Sequence, residues 1–412
     1  PDWTEQSPLS SSPLRNGQNS SPPQPEPHQK MWLDTYIEYA SEITDAPTIF
    51  HKYTGLSIAA SALEDKVYFK FGDQLMRPNM WICLVAGSSV ARKSTSLHIG
   101  RGIYKAATNK TTYPDEFSQE SLVERFAAQP CGTMVASEFI NLVSCIKRGY
   151  NEGCMGFLAD LYDCPTDYYK SLKSGDHYIN SPAINILAAT TVEWFLDRLT
   201  PDDWAGGFVP RFLLIPFLSG STRFLALPPP VDEAKRNKVS NGLRAMRNSR
   251  GEMYFSEETR EIYKRWYARH SSRDGLPPRF VGSYHRMASM SIKLAMVFEC
   301  MKRQATTKTE ITVESLREAT DCIDEASEMM CALVSDNFAF SKYEKERSIL
   351  LGVIKMTEDG TIDHSDFLKK SKMSGMEFNR VIDTMVESDE LSVEYIHSST
   401  KRKKRYRIND GR

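Results

Sequence analysis

Residues 82–95, reading ICLVAGSSVARKST, constrain the fold more than any other stretch. An uninterrupted apolar run, Ile82 to Ala86, leads into small residues and ends in Lys93-Ser94-Thr95 at the head of a helical pattern. Such a run reads as a strand buried on both faces, which belongs to a parallel sheet covered by helices. The spacing from Gly87 to Lys93-Ser94 is that of a phosphate-binding loop, GxxxxGK[ST]. Backbone N–H groups of such a loop, and of the helix it opens, surround phosphate oxygens. Gly87, Ser88, Ser89, Val90, Ala91, Arg92, Lys93, Ser94 and Thr95 are therefore the candidate residues for holding ATP. Lys93 supplies a point charge, and the Ser94 hydroxyl holds Mg2+. One position departs from the pattern: Arg92 stands where the second glycine is expected. It either alters the loop or itself reaches a phosphate. The bland alternative is a chance Lys-Ser after a strand.

Hydrolysis requires an acid on a second strand. Residues 133–137 (TMVAS) form a buried run that ends at Glu138, the candidate general base and Mg2+ partner, with a solvated surface Glu as the equal alternative. Ser137 stands where a preceding Asp is typical, which shifts the metal's dependence toward Ser94 and water. A third run, 184–190, ends in Thr190-Thr191, suited to sensing a γ-phosphate or equally to capping a helix. A fourth, 211–217, follows Gly206-Gly207 and begins with Arg211, which either acts as an arginine finger on a neighbouring subunit or pairs with Asp202 or Asp203. Lys293 and Arg286 are weaker candidates, with a solvated helix face as the alternative.

With 412 residues the chain is long enough for two or three cores. Residues 1–30, rich in Ser, Pro, Gln and Asn, read as disordered. Strands alternating with helices over 31–225 predict an α/β core with N-terminal helices. Residues 226–340 read as a helical subdomain. Residues 341–412 show helix, helix, helix and a β pair, the order of a winged helix. No apolar run is long enough to cross a membrane and no signal peptide is visible, so a cytoplasmic chain is expected. The eight cysteines form no CxxC pair and read as buried thiols, and single histidines offer no metal cluster.

Several pieces together resemble a family of phage, plasmid and mobile-element proteins often found beside primase–polymerase modules. They are Ala46-Pro47 with Phe50-His51, Arg77-Pro78-Asn79, GSSVARKST, residues 137–139 (SEF), 161–165 (LYDCP), 186–195 (ILAATTVEWF) and 206–213 (GGFVPRFL). The resemblance spans about 190 residues. It implies a RecA/AAA+-like P-loop NTPase core in a helicase-type ATPase. It also implies a homo-oligomer, such as a hexameric ring, that works on single-stranded or forked DNA with replication proteins such as a primase.

Net charge is −1, so DNA contact must come from local patches. Lys401, Arg402, Lys403, Lys404 and Arg405, read as lying between the two C-terminal strands, are one such patch; the acidic helix before them favours protein docking instead. The stretch 170–177 is a second candidate DNA loop. Two functions follow as expectations: an ATP-driven DNA motor, or a catalytically weak recruiting or switching module.

Overall fold

The computed structural model describes residues 30–409 apart from 88–90, 200–202, 205, 219–224, 277–279, 338–341, 358–359 and 398–401. Residues 1–29 of the expected disordered segment 1–30, the loop residues Ser88, Ser89 and Val90, and Lys401 and Asp202 therefore lie outside the described residues.

The chain is α/β. Its central sheet is fully parallel and has the order β4-β7-β3-β8, with β3 spanning Trp81–Ala86, β4 Cys131–Ala136, β7 Ala183–Thr190 and β8 Phe212–Phe217. Twenty-five of its twenty-six residues are buried, which is why these strands read as continuous apolar runs rather than alternating ones. Helix Lys93–Thr108 packs on helix Thr48–Leu63. The two approach so closely at Gly100 that an added Cβ would sit 2.4 Å from Thr54 Cγ2.

The register fixes where the strands end. Val85 lies opposite Thr190, and Ala136 opposite Ala188, so β3, β7 and β4 finish along one edge of the sheet. Strand β8 begins with Phe212 opposite Trp81, which puts the residue before it, Arg211, at the other edge.

A second sheet has the order β10-β9-β1-β2, with β1 at Val67–Phe71, β2 at Gln74–Met76, β9 at Gly251–Phe255 and β10 at Lys308–Ile311. The segment 226–340, expected as a helical subdomain, is mostly helical but also contributes β9 and β10, both parallel, to a sheet begun by β1. One apolar core also runs continuously from Trp32 to Leu333, so no core boundary falls near residue 226. Helices Val281–Lys302 and Val313–Asn337 pack into that same core.

Residues 342–408 enclose a separate apolar core that includes Leu350, Phe367, Phe378, Val381 and Tyr406. Helices Lys342–Lys355, His364–Ser371 and Gly375–Glu387 cover a sheet of order β11-β13-β12, where β11 is Thr361–Asp363, β12 Leu391–His397 and β13 Arg402–Ile408. Sequence reading missed β11, only three residues long. The basic run is also corrected: Arg402 to Arg405 lie within β13, opposite His397 to Glu394, and not between the strands.

Between the helix Cys154–Tyr162 and β7 stands an antiparallel hairpin of β5 (Asp167–Leu172) and β6 (Gly175–Asn180). Among the described residues, no helix is long and apolar enough to cross a membrane.

Candidate functional site

Lys93 is the first residue of its helix, and Ser94 and Thr95 beside it are exposed at the N-terminus. The helix has no acidic residue in its first turn, so nothing there offsets the positive end of its dipole. Lys93 Nζ turns back and donates to the carbonyls of Ala86 and Gly87, at 2.8 and 2.9 Å. Burial holds the Lys93 ammonium below its usual pKa, while Glu138 and Glu193 pull it upward.

Arg92 precedes the helix with φ 45° and ψ 35°, in the left-handed region. The backbone therefore takes the conformation a glycine adopts without strain. Its side chain is half-exposed and pairs with Asp45 at 3.2 Å. Asp45 thus takes up the guanidinium, which answers where this unusual side chain goes. Ala91 is buried and Gly87 half-buried.

The ends of β7 and β4 complete the group. Thr190, the last residue of β7, is buried, and its hydroxyl has no partner among the described residues. Thr191 has a different job: its Oγ1 accepts from the amide of Trp194 at 3.2 Å and caps the helix Val192–Arg198. Of the two alternatives read from Thr190-Thr191, the helix cap falls to Thr191. Glu138 caps the helix Phe139–Ile146 by position but not through its side chain, and its Oε2 is buried without a partner. Two residues past Ala136, it stands level with Thr190, two past Ala188. A buried carboxylate oxygen and a buried hydroxyl, both unpartnered, costs stability unless a ligand satisfies them.

Arg211 is not part of this group. It is 8% exposed, pairs with Asp163 at 2.7 Å and donates to the Gly207 carbonyl at 2.8 Å. The guanidinium is thus paired within its own chain, at the far edge of the sheet from Lys93. The alternative of an Asp partner holds, but through Asp163; Asp203 pairs with Lys147. Lys293 is likewise buried, at 4% exposure, where a solvated helix face was the alternative.

The basic strand and the hairpin lie apart from the strand-end group. Lys403 and Lys404 are exposed, and Arg405 pairs with Asp363 at 2.7 Å. On the helix Gly375–Glu387, Arg380 pairs with Glu346, which leaves Asp383 and Glu387 as exposed charges. On the hairpin, Tyr169 and Tyr178 sit directly opposite each other, half-exposed, with ring centroids 5.2 Å apart. Sequence reading did not single out this pair, although alternate residues of β5 are exposed and that alternation was its signal.

No protein-family model matches the chain, and comparison with curated proteins yields no match.

Proposed function

We propose that the chain is an ATP-driven, DNA-directed motor, a helicase or helicase loader in the replication of a mobile element, built on a RecA/AAA+-like P-loop core with a C-terminal winged helix. One observation carries this reading: Lys93, Thr190 and Glu138 end three neighbouring parallel strands or open the following helix along one edge, and two of them bring buried, unpartnered oxygens there. Adjacent parallel strands that finish together form the crevice in which open α/β sheets bind ligands.

These residues fit magnesium–ATP. The helix N-terminus and Lys93 suit its phosphates, and the Ser94 hydroxyl with the Glu138 carboxylate suit the metal. Bound magnesium–ATP supplies a γ-phosphoryl group open to attack by water. Lys93 neutralises charge, the Thr190 hydroxyl donates toward the γ-phosphate, and Glu138 Oε2 accepts the proton of the attacking water. The winged-helix reading rests on the order helix, short strand, two helices and two long strands around one small core. DNA contact is assigned to Lys403 and Lys404 for phosphates and to the Tyr169–Tyr178 pair for bases. A homo-oligomer, such as a hexameric ring, and association with a primase remain part of the proposal.

A second reading, a catalytically weak recruiting or switching module, is favoured by Ser137 in place of an acid. Glu138→Gln separates the two. The motor predicts that this variant still binds Mg-ATP but hydrolyses it at least about 100-fold more slowly. Equal, near-background rates in both proteins would support the recruiting module.

A further inference from the structure

At the N-terminal edge of the central sheet, far from the phosphate loop, lies a cavity of about 160 Å3 lined by β2, the residues after helix Cys154–Tyr162, and the helix Val281–Lys302. Three cations line it: Arg77, Arg286 and Lys293. Its one acid, Asp163, is already paired with Arg211. Among the described residues, Arg77, Arg286 and Lys293 form no ion pair with a carboxylate.

Two of these cations are almost wholly buried. Lys293 gives one of its three donors to Asn79 Oδ1 at 2.7 Å and lies 3.9 Å from the centre of the Tyr162 ring. Arg77, 5% exposed, donates through Nη1 to the Asp65 carbonyl, while its buried Nε has no partner. The Tyr162 hydroxyl is also buried and unpartnered. Asp163 is one carboxylate beside three cations and is shared with Arg211, so burying these cations is costly and a compact, multiply charged anion would offset that cost.

The geometry points to a second anion site, one that takes a phosphomonoester or free phosphate dianion between Arg77, Arg286 and Lys293. Charge decides the class. At about 30 Å3 per water, the cavity holds roughly five waters, room for one tetrahedral oxyanion. An internal phosphodiester carries one charge and chain on both sides. A terminal phosphate carries about −1.5 to −2 and has a single ester arm, so it can enter end-on. Guanidinium groups suit its oxygens, and a lysine adds a point charge. A strand end and a free phosphate share this chemistry.

The inference is independent of hydrolysis, and Lys93→Ala keeps the phosphate loop out of the readout. The probes are a 3′-fluorescein oligothymidylate with either a 5′-phosphate or a 5′-hydroxyl, followed by anisotropy, and inorganic phosphate, followed by calorimetry. The full chain carrying Lys93→Ala is expected to prefer the 5′-phosphorylated strand at least about 10-fold, with inorganic phosphate competing. Adding Arg286→Gln, at a half-exposed position that tolerates the change, or Lys293→Met should bring that preference to about 1. Phosphate binding that depends on Arg286 and Lys293, without preference for the strand end, would keep the site and assign it to free phosphate. Neither phosphate binding nor end preference responding to the two substitutions would overturn it.

Discussion

Arg92 shows how a single side chain can depart from a motif while its backbone conforms. With φ at 45° it accepts the left-handed conformation that a glycine would adopt freely, at a cost of about 1–2 kcal/mol. Arg92→Gly relieves that strain but loosens the unfolded chain by about 0.5–1 kcal/mol and removes the Asp45 pair, worth at most about 1 kcal/mol at this exposure. Stability is therefore expected to change by no more than about 1.5 kcal/mol, with Mg-ATP affinity kept. Arg92→Val, β-branched in the same conformation, should destabilise by more than Arg92→Gly, as chemical denaturation would read. Lys293 gives a pH-dependent counterpart. Burial brings its pKa down from the ordinary 10.5 to about 8, with Cys164 and Asp163 pulling it back up and Arg211 adding to the depression. Below about pH 8 the ammonium is charged in both states, and the folded chain bears the burial cost. Between about 8 and 10.5 the unfolded chain binds more protons, so stability contributed at this site rises with pH. Lys293→Met should stabilise the protein at pH 7, by at most about 3 kcal/mol, with the gain shrinking toward pH 10. A gap independent of pH would refute that account. The individual strand-end residues were legible, since Lys93, Glu138 and Thr190 each follow an apolar run. Arg211's partner was not, because Asp163 lies 48 residues away and nothing local marks it.

At the scale of elements, the hairpin β5–β6 offers the clearest test. Its tyrosine pair presents two aromatic faces, and stacking of a base on such a ring is worth about 1–3 kcal/mol. Tyr169→Ala together with Tyr178→Ala is expected to weaken binding of single-stranded DNA at least about 10-fold while leaving Mg-ATP affinity intact. Unchanged DNA binding would remove the hairpin from the interface and leave the basic strand as its remaining candidate. Buried central strands were easy to read because nearly all their residues are apolar, Thr133, Asn185 and Thr190 aside. The strands β9 and β10 were not, because GEMYF and KTEI mix charge with apolar residues and lie between long helices. The basic run was placed correctly in sequence but not in register, since seven consecutive residue pairs of β12 and β13 hold Arg402 to Arg405 inside the ladder.

The molecule as a whole has two apolar cores among the described residues, one from Trp32 to Leu333 and one within 350–406. Calorimetry should accordingly show two transitions, the smaller from the C-terminal module, and Mg-ATP should raise only the larger. A single transition, wholly shifted by nucleotide, would mean that the cores unfold together. The division expected near residue 226 was drawn from a change in composition, which reports helix content and not where the core ends. The most direct test of the motor is ATP hydrolysis by the full chain, with and without single-stranded DNA, beside Lys93→Ala. Turnover that DNA stimulates and Lys93→Ala abolishes is the predicted result. Nucleotide binding without turnover, indifferent to DNA, would contradict the motor and leave a recruiting module.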